Sequence, residues 1–207
     1  MGKREKKLKR IGIFGGTFDP PHIGHQILAM EAYDELQLDQ LFWVLTPNPP
    51  HKMGKRITSV DLRLEMVRAA VKYDKVFELS TVDLDRKGPH YVIDTVNIFR
   101  EQFPEDFLIF LMGGDSLHDL PDWHNPVAFV GACDGIGVMH RPGEKIDLIK
   151  LEEKVPGLSA KVLFIEAPLL EISSNTIREL VALGKPYQYY LPHGVYKIVK
   201  HEKLYTI

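Results

Sequence analysis

The segment from Ile11 to His25, IGIFGGTFDPPHIGH, constrains the fold more than any other part of the chain. A short apolar run ends at two glycines, and an amphipathic segment begins near Gly24, a pattern typical of a strand, a tight turn and a helix. Such a unit collects backbone N–H groups and a helix N-terminus at one point, which suits an anionic phosphate. The segment therefore predicts a phosphate site between the first strand and the first helix.

Two histidines stand three residues apart at the start of this predicted helix. On a first helical turn His22 and His25 share one face, and imidazoles beside a helix N-terminus can donate hydrogen bonds to phosphate oxygens on which charge builds up. Gly15 and Gly16 leave the backbone room to approach a ligand. The alternative, a tight turn with two exposed histidines, is the weaker interpretation because a strand, a glycine pair and the TFDPPH bridge precede them.

Apolar runs alternate with helical patterns along the rest of the chain, and no internal repeat is visible. This order favours an α/β fold, a mostly parallel sheet with helices on both faces. The strands are predicted at 11–14, 41–45, 75–79, 107–112, 135–139 and 161–165, and the helices at 24–37, 62–71 (capped by Ser59), 91–102, 125–132, 146–154, 175–184 and from 191 onward. We expect a basic tail over 1–10 and a single domain over 11–207, in which 171–207 forms a small helical C-terminal part.

The distribution of charge argues against a nucleic-acid partner. The first ten residues hold six of the 26 Lys and Arg residues and one of the 28 acids, which leaves the remaining chain with a formal net charge of −7. An acidic body is a poor general binder of polyanions. Phosphate is therefore expected to bind locally, through a few placed residues.

The chain carries one cysteine, Cys133, which cannot form an intrachain disulfide and fits a reducing cytoplasm. No apolar run approaches the ~20 residues of a membrane span, and no apolar segment of signal-peptide type follows the basic tail. We therefore expect a cytoplasmic protein with no membrane partner. The sequence leaves the oligomeric state open, a homodimer included.

Polar clusters follow the predicted strands, and ligands in open α/β sheets bind at the carboxyl ends of strands. In ISSNTIR (172–178) the hydroxyl groups, a helix N-terminus and Arg178 can together hold a triphosphate. Lys52, after PNPPH, can act as a point charge over phosphates. In GGDSLHDLPDWH (113–124), Asp115 can accept hydrogen bonds from ribose hydroxyls and Trp123 can stack on a flat ring. For Arg63, in a predicted helix, we favour an ion pair with a nearby acid.

Two of these segments resemble a known family. GGTFDPPHIGH resembles the T/HxGH signature of the nucleotidylyltransferases, which are related in fold to class I aminoacyl-tRNA synthetases. ISSNTIR resembles the second phosphate motif of that family, ISST-x-x-R, with Asn175 where Thr is usual. The resemblance implies a Rossmann-like fold and transfer of an adenylyl or cytidylyl group from a nucleoside triphosphate.

Further segments narrow the resemblance to the bacterial nicotinate mononucleotide adenylyltransferases. RKGPHYVIDT (86–95) and GGDSLHDLPDW resemble RxGPSYTxDT and GADxLxxLxxW of that subfamily, with His90 for Ser and Val92 for Thr. Arg141 in HRPG also matches, and LPHGVYKIVKHEKLY resembles the subfamily's tail, LPxxVxxYIxxxxLY. The resemblance then covers nearly all of residues 10–205.

The subfamily transfers the adenylyl group of ATP to nicotinate mononucleotide, which gives deamido-NAD and pyrophosphate in NAD biosynthesis. The resemblance implies this activity here, with Mg²⁺ carried by ATP and no metal-binding residues of the protein's own. The residues expected to be catalytic are His22, His25 and Arg178. The residues expected to bind ATP are Gly15, Gly16, Thr17, Phe18, His22, His25, Lys52, Ser173, Ser174 and Arg178. The residues expected to bind the acceptor are Tyr91, Val92, Gly114, Asp115, Trp123, His124 and Arg141.

Alternatives stay open at this point. Nicotinamide mononucleotide is a second acceptor, which differs only at the pyridine substituent. A nucleotide-binding regulator with an inactive site is disfavoured because both histidines are present. Phosphopantetheine and glycerol-3-phosphate transferases are typically shorter and lack the WH and RxGPxY segments. An RNA-binding relative of the synthetases is disfavoured by the acidic body and by the lack of a KMSKS-like loop.

Overall fold

A computed structural model describes residues 7–48, 57–140, 146–168 and 170–206. Within these ranges six strands form one parallel sheet in the order β3-β2-β1-β4-β5-β6. The strands are β1 (Arg10–Gly16), β2 (Gln40–Leu45), β3 (Phe77–Ser80), β4 (Phe107–Gly113), β5 (Gly135–His140) and β6 (Val162–Glu166). The helices are α1 (Ile23–Glu35), α2 (Val60–Val71), α3 (Val92–Gln102), α4 (Gly114–His118), α5 (Pro126–Ala132), α6 (Leu148–Lys154), α7 (Ser174–Ala182) and α8 (His193–His201).

The mostly parallel α/β architecture predicted from the sequence is confirmed, and each predicted element is present within a few residues of its expected bounds. Two details differ. Strand β1 begins at Arg10, inside the segment predicted as a tail. Helix α4 lies in a segment for which no helix is predicted, because a five-residue helix that begins at a glycine is too short to display a helical period.

The central strands are buried on both faces, which explains their continuous apolar runs. In β4, Leu108, Phe110 and Met112 face a core shared with α3, α5 and α6, while Ile109 and Leu111 face a core shared with α1 and α2. This alternation follows the two-residue period of a strand. The sheet therefore carries helices on both sides and leaves its carboxyl edge open to a ligand.

A third core holds the C-terminal helices against α2. Met66 and Ala70 of α2 cluster with Ile177 of α7 and Val195 and Val199 of α8. A Cβ atom at residue 194 of α8 would lie 3.0 Å from the Cβ atom of Ala69, so the glycine there permits close helix packing. This packing brings the end of the chain beside the loop that follows β1. None of the helices in the described ranges combines the length and apolarity needed to cross a membrane.

Candidate active site

The order of the strands places a ligand site at one point of the sheet. Strand β1 pairs with β2 on one side and with β4 on the other, so the chain reverses its winding direction beside β1. A main cleft of about 980 Å³ opens there, between the carboxyl ends of β1 and β4, the start of α3 and the segment 122–125. Seven of the predicted site residues line it: Gly15, Gly16, Thr17, Tyr91, Val92, Trp123 and His124.

The two histidines cap helix α1 reciprocally. The backbone N–H of His22 donates to Nδ1 of His25 at 3.1 Å, and the backbone N–H of His25 donates to Nδ1 of His22 at 3.3 Å. The rings stack with their centroids 3.6 Å apart. Because each Nδ1 atom accepts a hydrogen bond, each neutral ring carries its proton on Nε2. The capping box therefore also selects the tautomer that donates from Nε2.

Burial and aromatic packing fix the histidine rings. Burial lowers the pKa of His22 to about 4, so the ring is neutral near pH 7. The His25 ring lies 5.2 Å from that of Phe18 and 6.3 Å from that of Trp43, centroid to centroid. Phe18 is only 2% exposed and belongs to the core, and it lines neither cavity, so its expected contact with ATP stays a prediction.

A small apolar pocket adjoins the histidines. Its volume is about 70 Å³, and Gly113 lines both this pocket and the main cleft. A Cβ atom at residue 24 would lie 3.0 Å from Nδ1 of His22 and 3.5 Å from Cβ of Ile172, so a side chain there would press on the His22 ring. The other lining residues are Leu28, Met139, Ala167, Pro168, Leu170 and Ile172. Sequence reasoning did not find this pocket, because its walls come from four separate segments.

Helix α7 is fastened to the β1–α1 loop (residues 17–22). The hydroxyl of Ser174 donates to the carbonyl oxygen of Pro20 at 2.8 Å, and Nη1 of Arg178 donates to that of Asp19 at 2.7 Å. Ser173 caps the helix by accepting the N–H of Thr176 at 3.1 Å. These bonds bring the two phosphate motifs predicted from the sequence together, although 154 positions separate Ser174 from Pro20.

Arg178 retains an unneutralised charge at this junction. Its other hydrogen bond goes to the side-chain oxygen of Asn175, the residue that departs from the family motif. Among the residues that the structure describes, no carboxylate lies within ion-pair distance of Arg178. The guanidinium is half-buried and remains electrostatically available to an anion.

The predicted residues that the structure describes lie mainly in two groups. His22, His25, Ser173, Ser174 and Arg178 gather at the β1–α1 loop and do not line the main cleft, whereas the seven residues given above do. Gly114 and Asp115 line neither cavity; Gly114 is buried and Asp115 is exposed. Lys52 and Arg141 lie outside the described residues, so their roles stay predictions.

Arg63 corrects an expectation from the sequence. The favoured interpretation was an ion pair, but the side chain is 2% exposed and its hydrogen bonds go to four backbone carbonyls. It donates to the carbonyl oxygens of Thr58, Thr17, Thr46 and Pro47 at 2.9, 3.0, 2.9 and 2.6 Å. The reason is that loops leaving the carboxyl ends of parallel strands present unpaired C=O groups, and a guanidinium has five donors to satisfy them.

The sequence did contain a signal for this role. Arg63 shares the buried face of α2 with Met66, Val67 and Ala70, at the i+3, i+4 and i+7 spacing of a helix. An arginine on an apolar face must find buried acceptors.

Ser59 occupies the predicted N-cap position of α2, but its side chain makes no capping hydrogen bond.

Aromatic rings enclose the far side of the main cleft. The rings of Tyr91 and His124 stack with centroids 3.9 Å apart, and Trp123 meets Phe110 and Phe129 at 6.5 and 5.5 Å. Tyr91 is also the N-cap of α3 and makes no side-chain capping bond there. Val92 and Ile93, the first residues of α3, line the same cleft, so the N-terminus of this helix lies beside flat aromatic rings.

One arginine shapes the segment that leads into α3. Arg86 contacts the carboxylates of Asp83 at 3.0 Å and Asp94 at 3.3 Å, and it donates to the carbonyl oxygens of Pro89 and Tyr91 at 3.0 and 3.1 Å. His90, which replaces the usual Ser of the family motif, is 7% exposed, with Nε2 3.3 Å from the carbonyl oxygen of Arg86. The larger side chain is thus accommodated inside the same turn.

Within the described ranges no group of three or more His, Cys, Asp or Glu residues is arranged to hold a metal ion.

Comparisons with known proteins identify relatives over almost the whole chain. The family model described as cytidylyltransferase-like matches residues 13–180. A probable nicotinate-nucleotide adenylyltransferase of Thermomicrobium roseum is 39% identical over 202 residues, covering 93% of this chain and 94% of that protein. The nicotinate-nucleotide adenylyltransferase of Bacillus subtilis is 37% identical over 198 residues, covering 96% of this chain and 99% of that protein.

Solved structures agree in fold. A nicotinic acid mononucleotide adenylyltransferase of Plasmodium falciparum complexed with NaAD matches with a TM-score of 0.77 at 20% identity, covering 95% of this chain and 97% of that chain. The structure of that enzyme complexed with APC gives a TM-score of 0.75 at 20% identity, with the same coverage. At this identity the likeness establishes the architecture.

The lowered pKa of His22 is open to direct measurement. We expect its ring to stay neutral as the pH falls from 7 to 5.5, because burial lowers its pKa from 6.5 to about 4. Since the unfolded chain takes up this proton near pH 6.5 and the folded chain does not, His22 also makes the fold less stable as the pH falls from about 6.5 towards 4. Following the Cε1–Hε1 resonance by NMR, assigned with His22→Gln, measures the titration; a midpoint near 6.5 would contradict the buried, capped geometry.

Proposed function

The chain belongs to the nicotinate-nucleotide adenylyltransferase family, and from this membership we propose that it transfers the adenylyl group of ATP to nicotinate mononucleotide. The products are deamido-NAD and pyrophosphate, so the enzyme serves NAD biosynthesis. One observation carries the proposal at the level of the site. The capping box of α1 puts the proton of each neutral imidazole on Nε2, beside the loop to which α7 and Arg178 are hydrogen-bonded.

The reaction needs alignment more than proton transfer. A phosphate monoester has a second pKa of ~6, so the attacking 5′-phosphate oxygen of the acceptor is already largely ionised near pH 7. This oxygen forms a bond to the α-phosphorus of ATP while the bond from that phosphorus to the bridging oxygen of the β-phosphate breaks. The electron pair leaves with pyrophosphate. The protein must hold the two reactants in line and offset the negative charge of the transition state.

We assign the histidines to the triphosphate. Nε2–H groups of His22 and His25 donate to oxygens of the α-phosphate and its neighbours, and the charge of Arg178 offsets the leaving β- and γ-phosphates. The hydroxyl proton of Ser174 is already donated to Pro20, so we propose that its backbone N–H, at the first turn of α7, contributes instead. Lys52 keeps its predicted role beside the β- and γ-phosphates.

A divalent metal completes the charge balance. Nucleotidyltransferases of this family typically use one, and we propose that it is Mg²⁺ bound to the triphosphate of ATP. The scarcity of carboxylate and imidazole clusters in the described ranges fits a metal that arrives with its substrate. We propose that the adenine ring packs against the apolar pocket beside Gly24, whose lining side chains are aliphatic or apolar.

The main cleft suits the pyridine nucleotide. The first N–H groups of α3 offer a site for an anion, and the carboxylate of nicotinate is one, whereas the amide of nicotinamide is neutral. The rings of Trp123, Tyr91 and His124 provide flat surfaces for the pyridine. We therefore propose nicotinate mononucleotide as the preferred acceptor, and nicotinamide mononucleotide as the second candidate.

The location of the protein, its division into domains and its assembly are also proposals. The described residues contain a single cysteine, Cys133, which is buried and whose pKa burial raises to about 12, so it is an unreactive thiol. We propose a cytoplasmic location and a single domain over 11–207 on this and on the sequence pattern. A homodimer stays a prediction.

A turnover assay with each acceptor tests the proposed function. With ATP, Mg²⁺ and nicotinate mononucleotide, we expect deamido-NAD and pyrophosphate in equal amounts, with a higher kcat/KM than for nicotinamide mononucleotide. The physical reason is the anionic substituent at the N-terminus of α3. Higher kcat/KM with nicotinamide mononucleotide would reverse the acceptor assignment, and ATP binding without any product would favour an inactive regulator.

Two variants distinguish the proposed catalytic role of His25 from its role in capping α1. Glutamine at the third helical position can still accept the N–H of His22, while alanine cannot. We expect His25→Ala and His25→Gln both to lower kcat by two or more orders of magnitude (about 3 kcal/mol of transition-state stabilisation). Only His25→Ala should also lose about 1 kcal/mol of stability in urea unfolding. Near-normal kcat in His25→Gln would remove the imidazole from the chemistry.

Trp123 is expected to act on binding of the acceptor. Trp123→Ala removes a ring that lines the main cleft and should raise the KM for nicotinate mononucleotide about tenfold, with little change in kcat or in the KM for ATP. Trp123→Phe, which keeps an aromatic ring against Phe110 and Phe129, is the matched control and should recover most of the affinity. An unchanged KM in the alanine variant would place the pyridine elsewhere.

A further inference from the structure

We propose that Tyr205 is a positioning residue for the reaction: its hydroxyl holds the carboxylate of Asp19 and so fixes the β1–α1 loop, which carries His22 and leads directly to His25 in α1. This inference rests on the proposed function of that loop. The proposal assigns a role to the segment around Tyr205, which resembles the tail of the subfamily but for which the sequence predicts no function.

The contact joins distant parts of the chain. The hydroxyl of Tyr205 donates to Oδ1 of Asp19 at 2.7 Å, across 186 positions, and the backbone N–H of Thr58 donates to Oδ2 at 3.2 Å. Asp19 is only 6% exposed. A buried carboxylate is costly unless its oxygens are hydrogen-bonded, and here each oxygen receives one donor.

The carboxylate also answers a buried positive charge. Arg63 spends its hydrogen bonds on backbone carbonyls, among them Thr17 in the same loop, and the negative charge of Asp19 opposes the effect of burial on its guanidinium. Burial and the nearby Asp19 charge raise the pKa of Tyr205, so its hydroxyl keeps the proton that it donates. Tyr205 therefore completes a buried arrangement of one cation, one anion and neutral donors.

The two sides of residue 19 hold different parts of the site. Its side chain faces Tyr205 and α2, while its carbonyl oxygen accepts Nη1 of Arg178. The next carbonyl, of Pro20, accepts the hydroxyl of Ser174, and His22 follows two residues later. A displacement of the Asp19 side chain thus moves the backbone that positions both His22 and Arg178.

Backbone conformation shows how firmly this junction is held. Phe18 and Tyr205 both have positive φ, +48° and +64°, in the left-handed region that bulky residues rarely adopt. Such conformations persist only where surrounding contacts impose them. One of these residues precedes Asp19 in the chain and the other binds its carboxylate.

The path of the chain to this point does not depend on the tyrosine hydroxyl. Helix α8 packs on α2 through Val195 and Val199, and the N–H of Leu204 returns to the carbonyl oxygen of Val199 at 3.0 Å. The ring of Tyr205 packs on the edge of the same cluster. Tyr205→Phe therefore removes one hydroxyl group and keeps the packing that brings the ring to the loop.

The proposal is tested by the steady-state kinetics of folded Tyr205→Phe, measured well below its unfolding temperature. We expect kcat/KM for ATP to fall about tenfold to a hundredfold, the range for loss of a hydrogen bond to a charged group. The KM for nicotinate mononucleotide should stay within about twofold, because the rings of the main cleft are untouched. Tyr196→Phe is the matched control: it removes a hydroxyl from α8, where the ring packs on Tyr187, and should leave all parameters unchanged.

A double-mutant cycle shows whether Tyr205 acts through Asp19. In an Asp19→Asn background, Tyr205→Phe should lower kcat/KM for ATP by less than about threefold, since the charge that strengthens the bond is gone. Additive effects, or a lower unfolding temperature with unchanged kinetics, would reduce Tyr205 to a structural anchor and overturn the proposal. If Tyr205→Phe does not fold, Asp19→Asn alone must show the selective loss for ATP, and an equal loss for both substrates overturns it.

The outcome stays separable from that of the proposed function. If the wild-type chain makes no deamido-NAD but binds ATP by calorimetry, the proposed reaction fails. The positioning role is then judged on ATP affinity, which Tyr205→Phe should weaken and Tyr196→Phe should not. Equal ATP affinity in the three proteins would overturn the positioning role.

Discussion

Two hydrogen bonds between backbone N–H groups and imidazole Nδ1 atoms determine what this site can do. They cap α1, stack the rings of His22 and His25, and put the proton of each neutral ring on Nε2. A free imidazole would exchange tautomers and rotate, and a ligand would have to select the useful state. Here the fold already imposes one tautomer and one orientation on each ring. In the proposed reaction, the two donors are therefore ordered during folding, before the transition state is reached.

The sheet decides which loops can meet these donors. Because β1 lies between β2 and β4, the loop after β1 borders the main cleft, and Gly113 at the end of β4 borders both cavities. The third core then folds α7 and α8 back onto α2, which delivers the second phosphate motif and the end of the chain to the same loop. The site is therefore assembled from both ends of the sequence around one strand.

Local patterns predicted the strands and most helices, because periodicity and glycine turns are local properties. The phosphate-binding roles of the two motifs stay predictions. They did not predict the partners of Arg63 or the bond between Asp19 and Tyr205. Those contacts depend on which loops the order of the strands brings together. The spacing of residues along the chain does not show which loops will be neighbours. For Arg63, the apolar face it shares was a readable signal of burial, while the identity of its acceptors was not. The roles expected of Lys52 and Arg141 fall outside the described residues.

The charge of the chain raises a final question, since beyond its first ten residues it carries a formal net charge of −7 and yet is proposed to hold ATP. A positive potential over the whole surface would favour ATP binding, but it would also attract every other polyanion. Among the residues that the structure describes, the proposed donors are mostly neutral: two Nε2–H groups, the N-terminus of α7 and one half-buried cation, Arg178. Neutral donors act only at hydrogen-bond range, so they bind a phosphate group that fits the site and contribute little to the binding of one that does not. The buried Arg63 and Asp19 charges set the loop's geometry without adding net charge, which keeps recognition a matter of position.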